Sequence, residues 1–348
     1  MITKKISCTV LGCTLAAALT LTACGGSGSG SSGSMSTGMG GSSSQTTQNA
    51  AWRTGLGILT KADGEERAGK INTIAAAVLL DAEGKVADVM LDEVELSVTG
   101  DGTGKVTMPG ETLTKRQKGE DYPLAAVSSL KKGWTEQADA FGNYLTGKTP
   151  DEVKKLATDD DGKPKDADLL SGCTIAVDGY RDAVVRACEN AKAVGSAHGD
   201  RAVLGVSVRN DTKDLTADDD HDVTAQVDIT VTALTLDADD RVTGAIADVT
   251  EPALTEPALT VSADGTVSAP ELVKTKLEQG DQYGMRGASA LDKEWYEHSE
   301  GWCDYLKGRT RAEVASIPDD GSDADLAAVC TISVTELQKA ALAAFAEE

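Results

Sequence analysis

The sequence is poor in aromatic side chains and histidines, and it contains no closely spaced cysteine pair. Aromatic residues make up 3% of its 348 positions, and the three histidines are His198, His221 and His298. The seven cysteines include no CxxC pair, which argues against a zinc or haem site. No Ser-His-Asp or Cys-His set recurs within a motif, and this absence argues against hydrolase chemistry.

Positive charge is also scarce. The chain has 33 lysines and arginines against 56 aspartates and glutamates, and its formal net charge is −23. A field of this sign argues against binding to nucleic acid or docking on anionic lipid. The acidic run Asp159–Asp161 lacks the spaced ligands of a calcium loop, so we interpret it as a solvated turn.

The N-terminal segment predicts export. Lys4 and Lys5 precede a short apolar stretch, and small residues follow it, so residues 1–23 are interpreted as a signal peptide rather than a membrane span. The sequence LTAC, which ends at Cys24, resembles the lipobox of bacterial lipoproteins. The resemblance implies that Cys24 is lipidated and anchors the chain to the extracellular face of the cell membrane. An ordinary secretory signal with an incidental Cys24 is the alternative.

The segment after Cys24 is rich in glycine and serine. Residues 24–50 contain no charged side chain, and such a composition cannot bury a core. We therefore expect a disordered, flexible linker that tethers the folded part near the membrane.

The remainder of the chain repeats itself. The segment Thr114–Val153 aligns with Thr275–Val314, which places Trp134 on Trp295. A repeat of this length indicates a tandem domain duplication rather than a solenoid. We predict a first domain at residues 51–195 and a second at residues 196–348, each of ordinary domain size.

Each half has the same predicted order of elements. Apolar or alternating runs predict strands at Ile71–Asp81, Lys85–Leu96, Ala225–Asp237 and Arg241–Val249. Amphipathic helices are predicted near Leu124–Leu145 and Ala288–Leu306. A final helix in each half is predicted to be capped by Asp178 or Thr335, the latter forming a capping box with Gln338. This order indicates an α+β fold, with a small twisted antiparallel sheet and helices on one side.

An unusual decapeptide occurs in both halves, just before the final helix. It reads DLLSGCTIAV from Asp168 to Val177 and DLAAVCTISV from Asp325 to Val334. One interpretation is purely structural: Thr-Ile-x-Val ends a short strand, the cysteine and isoleucine point inward, and the threonine satisfies a turn. Duplication alone then explains the repetition.

The first decapeptide also resembles the covalent flavin-attachment motif of FMN-binding domains, D-x-x-[S/T]-G-A-[S/T]. Asp168, Ser171, Gly172 and Thr174 match this motif, and Cys173 stands where alanine is usual. In that family a flavin transferase joins FMN to the last threonine through a phosphoester bond. The resemblance therefore implies covalent FMN on Thr174.

The second decapeptide departs from the motif. Asp325, Cys330 and Thr331 are retained, whereas Ala328 and Val329 replace the Ser-Gly pair. Thr331 is the second candidate acceptor.

The wider chain resembles the two-domain flavin lipoproteins of Gram-positive extracellular electron transfer. This resemblance implies an electron carrier rather than an enzyme with its own substrate, passing electrons from a membrane quinol-linked donor to extracellular acceptors. Trp134 and Trp295 are candidates to stack on the flavin ring, and packing in the helix core is the alternative. Two further hypotheses remain: a surface binding lipoprotein without flavin, and a precursor whose released signal peptide is a pheromone.

The redox state of the later cysteines is left open by the sequence. An even number outside the cytoplasm permits disulfides, and buried free thiols are an equally good interpretation. The four residues concerned are Cys173, Cys188, Cys303 and Cys330.

Overall fold

The computed structural model describes residues 51–252, 258–270 and 273–346, in which strands precede helices twice in the same order. We call residues 51–195 the first block and residues 196–346 the second block. Every strand pairing within the sheets is antiparallel. The predicted α+β class with antiparallel sheets is therefore confirmed. The predicted signal peptide, Cys24 and the linker lie outside the described residues.

The first block is a four-stranded sheet followed by helices, with strand order β1-β2-β3-β4. Its strands are β1 (Arg53–Glu65), β2 (Ala68–Leu80), β3 (Val86–Gly100) and β4 (Val106–Thr107). Its helices are α1 (Lys115–Lys118), α2 (Leu124–Val127), α3 (Trp134–Leu145), α4 (Pro150–Lys154), α5 (Ala167–Leu170) and α6 (Asp178–Glu189).

The second block repeats this order with two smaller sheets, β5-β7-β8 and β10-β9-β6. Its strands are β5 (Arg201–Asn210), β6 (Val223–Thr224), β7 (Val227–Leu236), β8 (Val242–Thr250), β9 (Thr260–Val261) and β10 (Val267–Ser268). Its helices are α7 (Lys276–Gln279), α8 (Trp295–Leu306), α9 (Arg311–Ala315), α10 (Ala324–Ala327) and α11 (Thr335–Ala344). No helix among the described ranges is both long and apolar enough to cross a membrane.

The two long sheets pack face to face, and each carries its own helices on the other face. In β2, Ile71, Ala75 and Leu79 contribute to a core shared by both blocks, because side chains two residues apart point the same way. The intervening Val78 and Leu80 instead pack against α3 and α6. The layers therefore run helices, sheet, sheet, helices, and the described residues belong to one compact unit.

The first strand of each block was not predicted from the sequence, because glycines interrupt its apolar pattern. These glycines let a helix approach the strand backbone. A Cβ atom added at Gly57 would lie 2.1 Å from the carbonyl oxygen of Ala183 in α6. A Cβ at Gly205 in β5 would lie 2.0 Å from the carbonyl oxygen of Ala340 in α11. The glycines thus mark close packing rather than loops.

The long predicted helices are shorter than expected. The helix predicted from Leu124 breaks after α2, and α3 begins only at Trp134, because Lys131 takes a positive φ of 56° between them. In the second block Asp292 has a φ of 54°, and α8 begins at Trp295.

The predicted helix caps at the ends of the decapeptides are wrong. Asp178 and Thr335 are the first residues inside α6 and α11, and the N-caps are Val177 and Val334. Gln338 forms no capping box, because its amide donates to the carbonyl oxygens of Val314 in α9 and of Ile317 just after that helix.

Candidate functional site

Each decapeptide links a one-turn helix to the final helix of its block. The one-turn helices α5 and α10 are capped by the Asp166 and Asp323 side chains, which accept hydrogen bonds from backbone N–H groups. The motif aspartates Asp168 and Asp325, one residue inside these helices, are exposed. The predicted strand character of Thr-Ile-x-Val is wrong, since these residues form a bend outside every sheet.

Thr174 is held by a buried glutamine of α3. Its backbone N–H and its hydroxyl both donate to Gln137 Oε1, at 2.9 and 3.1 Å. The Gln137 amide in turn donates to Ser128 Oγ and to the Lys132 carbonyl, each at 3.0 Å. This use of the backbone N–H explains why no strand ladder forms here. Thr174 is half-buried, and the buried Gln137 fixes the position of its hydroxyl.

Thr331 is held in the same way by a histidine of α8. Its backbone N–H donates to His298 Nδ1 at 3.3 Å, and His298 Nε2 lies 2.8 Å from Ser289 Oγ. Since Nδ1 accepts, the ring proton belongs on Nε2, which donates to the serine. Burial lowers the pKa of His298, and the charge of Lys293 lowers it further while Glu297 opposes them. The imidazole is therefore neutral, and Thr331 is exposed.

Gln137 and His298 were missed by the sequence reasoning. They occupy equivalent positions of the repeat, as do Ser128 and Ser289, so the alignment of the two halves contained the signal. Both side chains are fully buried. The sequence of an amphipathic helix does not show which of its polar residues points inward, and only the folded chain shows that these two each anchor a threonine.

The glycine of the first motif is compensated in the second block. A Cβ added at Gly172 would lie 3.0 Å from the Cβ of Ala140 in α3. The second block has Val329 at that position, and the residue equivalent to Ala140 is Gly301, where an added Cβ would lie 2.5 Å from the Val329 carbonyl oxygen. The small residue has moved from the motif to the helix. The loss of Ser-Gly therefore leaves the backbone path to Thr331 intact.

The remaining motif residues have structural roles. Ser171 is exposed, and its hydroxyl donates to the Asp168 carbonyl at 2.7 Å. Cys173 and Cys330 are buried beneath the two threonines, each with its N–H bonded to the leucine four residues earlier at 2.8 Å. Burial raises the pKa of the Cys173 thiol to about 11 and also raises that of Cys330. These thiols are inert core residues.

All four cysteines of the described residues are free and buried. Burial raises the pKa of the Cys188 and Cys303 thiols to about 12. No cluster of three or more histidine, cysteine or acidic side chains with metal-binding geometry occurs in residues 51–252, 258–270 and 273–346.

The space beside Thr174 is filled by a buried polar network. Trp134, which is 1% exposed, donates from Nε1 to the Tyr180 hydroxyl at 2.9 Å, and that hydroxyl donates to Glu93. Lys115 Nζ lies 2.8 Å from Glu93 Oε2 and 3.2 Å from Glu95 Oε1. Burial opposes the charge on Lys115, but Glu93 and Glu95 hold its pKa above the ordinary value. Trp134 is thus a core residue.

The equivalent space beside Thr331 is a cavity of about 270 Å³. Leu337 and Val249 stand where the first block has Tyr180 and Glu93, so the tyrosine–glutamate contact of that network is missing. Trp295 and Tyr283 line the cavity. Here the aromatic side chains border open space.

A buried ion pair closes one side of this cavity. Lys276 Nζ lies 2.5 Å from Glu251 Oε1, and it also lies 4.8 Å from the Tyr283 ring centroid and 5.4 Å from that of Trp295. Burial raises the pKa of Glu251, and the Lys276 charge opposes that rise.

Within the part of the chain that the structure describes, neither threonine hydroxyl faces a general base. Thr174 Oγ1 donates to an amide oxygen, which cannot take its proton, and His298 Nδ1 is occupied by the backbone N–H of Thr331. An unactivated hydroxyl is a weak nucleophile. The arrangement therefore presents two hydroxyls for modification by another catalyst and does not itself activate them.

Comparison with known proteins gives one partial likeness. No protein-family model matches the chain, and no solved structure matches it. The chain is similar to a chlorophenol reductase of Desulfitobacterium hafniense, with 34% identity over 79 residues. The match covers 18% of this chain and 24% of that protein, so the chain spans about a quarter of the relative's length.

Proposed function

We propose that this chain is a cell-surface lipoprotein that carries FMN on threonine through phosphoester bonds and transfers electrons at the extracellular face of the membrane. Its two blocks are a tandem duplication of an FMN-binding-type domain. A membrane quinol-linked donor reduces it, and extracellular acceptors oxidise it. Cys24 provides the lipid anchor, and residues 25–50 provide the tether.

One observation carries the proposal: both threonines of the repeated peptide occupy the same setting. In each, a buried side chain of the preceding long helix fixes the backbone N–H, and a buried cysteine lies directly before the threonine. A purely structural threonine needs no such repeated anchorage. An acceptor that a flavin transferase must recognise needs a hydroxyl at a fixed place on the surface.

The duplication is supported by features beyond the decapeptides. Helices α3 and α8 both have 12 residues, and the capping boxes at Thr114 and Thr149 recur at Thr275 and Thr310. The exchange of the small residue between Gly172 and Gly301 preserves the packing while the motif changes. Such compensation is expected of two copies that diverged around one geometry.

The residues present fit a covalently held flavin. Thr174 and Thr331 would hold the phosphate, because a hydroxyl can form a phosphoester once an external transferase supplies an activated donor. The bound flavin supplies the electron-carrying ring, and the protein supplies position and electrostatics. The net charge of −23 favours freedom from the anionic membrane surface.

The likeness to a chlorophenol reductase agrees with a role in redox chemistry, since the name of that protein denotes a reduction. The match is partial, and we do not transfer its substrate to this chain.

Co-expression of residues 25–348 with a flavin transferase tests the proposal. The wild-type protein is expected to gain, for each flavin, the mass of FMN less one water. Thr174→Ala and Thr331→Ala should each lose one such increment, whereas Thr174→Ser keeps a hydroxyl and should keep its flavin. A wild-type protein of unmodified mass, or alanine variants with full flavin content, would overturn the assignment.

A further inference from the structure

The two blocks differ at the position where a flat ring would have to lie. In the first block, Tyr180 reaches across this space to Trp134 and Glu93, and Asn72 Nδ2 also donates to Glu93 at 2.5 Å. Entry of a ring would displace Tyr180 and leave buried polar atoms without partners. Each such atom would lose its hydrogen bond and keep the desolvation penalty of its burial. The first block is therefore closed.

The second block lacks the tyrosine and the glutamate of this network. Leu337 replaces the tyrosine and Val249 replaces the glutamate, and the resulting cavity has a volume of about 270 Å³. This volume lies just below the range of about 300–1,000 Å³ for whole small-molecule pockets. The space suits a fused ring system of two or three rings and is too small for an entire nucleotide.

The chemistry of the walls matches a flat aromatic ring with a polar edge. Leu337 and Val249 offer apolar contact, and Trp295 and Tyr283 offer aromatic faces, which pack well on other aromatic rings. The Lys276 ammonium lies at the same wall and is a donor for ring carbonyl and nitrogen acceptors. The polar side of the cavity carries a second cation, Arg209, and the carboxylates Asp228, Glu251 and Glu336, and placed polar groups of this kind fix the orientation of a ring.

The acceptor threonine lies within reach of this cavity. Ile332 and Ser333, which directly follow Thr331, line it. Successive Cα atoms are about 3.8 Å apart, so Thr331 stands one residue from the wall. The ribityl phosphate arm of a flavin on Thr331 is long enough to cross this gap.

We infer that the second block alone seats an isoalloxazine-type ring, in the cavity bounded by Lys276, Tyr283, Trp295 and Leu337, and that Tyr180 excludes such a ring from the first block. The identity of the ring as a flavin rests on the proposed function. A flavin on Thr331 is then shielded and close to a cation, whereas a flavin on Thr174 stays in solvent. The two carriers consequently differ in redox potential, since burial and nearby charge tune a flavin.

Binding of lumiflavin, a flavin ring without the phosphate arm, tests the seat on protein made without a transferase. Fluorescence titration should give one site per chain. Leu337→Tyr, which copies the first block, should weaken binding at least tenfold, whereas Leu215→Tyr, at an exposed leucine, should leave it unchanged. Tyr180→Leu combined with Glu93→Val copies the second block and should add a second site. Thermal melting of each variant verifies that it is folded.

Absence of lumiflavin binding to the wild-type protein would overturn the inference, as would equal affinity in Leu337→Tyr. Failure of the proposed function is a separate result: lumiflavin binds the cavity, but co-expression with the transferase adds no mass. If instead both threonines gain flavin and iodide quenches the two flavins equally, the proposed function stands and the inference fails.

Discussion

Replacing His298 with glutamine is expected to remove one proton-linked step from the acid unfolding of this protein. In the fold the neutral imidazole accepts the Thr331 N–H at Nδ1 and faces Ser289 Oγ through Nε2. Protonation puts a hydrogen on Nδ1, where it opposes the N–H of Thr331. Gln137 shows in the first block that a glutamine makes the same bonds without a titrating group.

The sign of the effect follows from the direction of the pKa shift. Burial lowers the pKa of His298 in the folded protein, so the unfolded chain binds a proton more readily. Stability is therefore fully present above the unfolded pKa of about 6.5 and is lost as the pH falls below it. One proton changes the free energy of unfolding by at most about 1.4 kcal/mol per pH unit. A loss of 1 kcal/mol lowers the Tm of a domain of about 150–250 residues by about 2–4 °C, and the shift is smaller for this longer chain.

Thermal unfolding of both proteins between about pH 5 and 8 measures the difference. The two curves should coincide above neutrality and diverge below it, with the wild type falling faster. Lys293 and Glu297, which face the imidazole, are present in both proteins. The buried carboxyls of Asp92, Asp248 and Glu251 are also present in both, and burial raises the pKa of each. Their contributions cancel in the difference. The reciprocal Gln137→His should introduce the same acid sensitivity, and parallel wild-type and His298→Gln curves would refute the reasoning.

Three further outcomes are expected. In denaturant unfolding, Gly57→Ala should cost about 1–3 kcal/mol of stability, because its Cβ would meet the Ala183 carbonyl oxygen at 2.1 Å. The control Gly110→Ala, which has no atom within 4 Å of the added Cβ, should change stability by less than about 0.5 kcal/mol in the same assay. Lys276→Met should cost about 3–5 kcal/mol, because it removes the cation of the buried Lys276–Glu251 pair, and the double variant with Glu251→Gln should recover most of that loss in the same assay. Cys24→Ala should move the host-expressed protein from the membrane pellet to the soluble fraction, and a variant that remains in the pellet would contradict the lipid anchor.

The sequence contained enough to place four of the six long strands. β2 and β7 follow apolar or alternating runs, and all ten residues of β7 are buried. β1 and β5 were not predicted, because Gly57 and Gly205 make room for a helix that lies more than 120 positions later in the chain. A local pattern cannot reveal such a contact. The packing of one sheet on the other likewise depends on faces that meet only after the chain has folded.

The repeat in the sequence predicted the two candidate threonines but not the residues that hold them. The decapeptides identified Thr174 and Thr331 and placed them just before a helix, but the two threonines lie in a bend rather than at the predicted strand end, Thr174 half-buried and Thr331 exposed. The helix residues that hold them, Gln137 and His298, were not found, because nothing local separates an inward polar side chain from an outward one. The cavity beside Thr331 depends on Leu337 and Val249, which come from distant elements.

The central claim is that flavin is esterified to threonine in this chain. Its most direct test is the intact mass of the lipoprotein purified from the cell envelope of its own host, followed by peptide mapping. The account predicts the mass of FMN less one water on the peptide that contains Thr174, and the same increment on the peptide that contains Thr331. A host-made protein in which both peptides have their unmodified mass would contradict it.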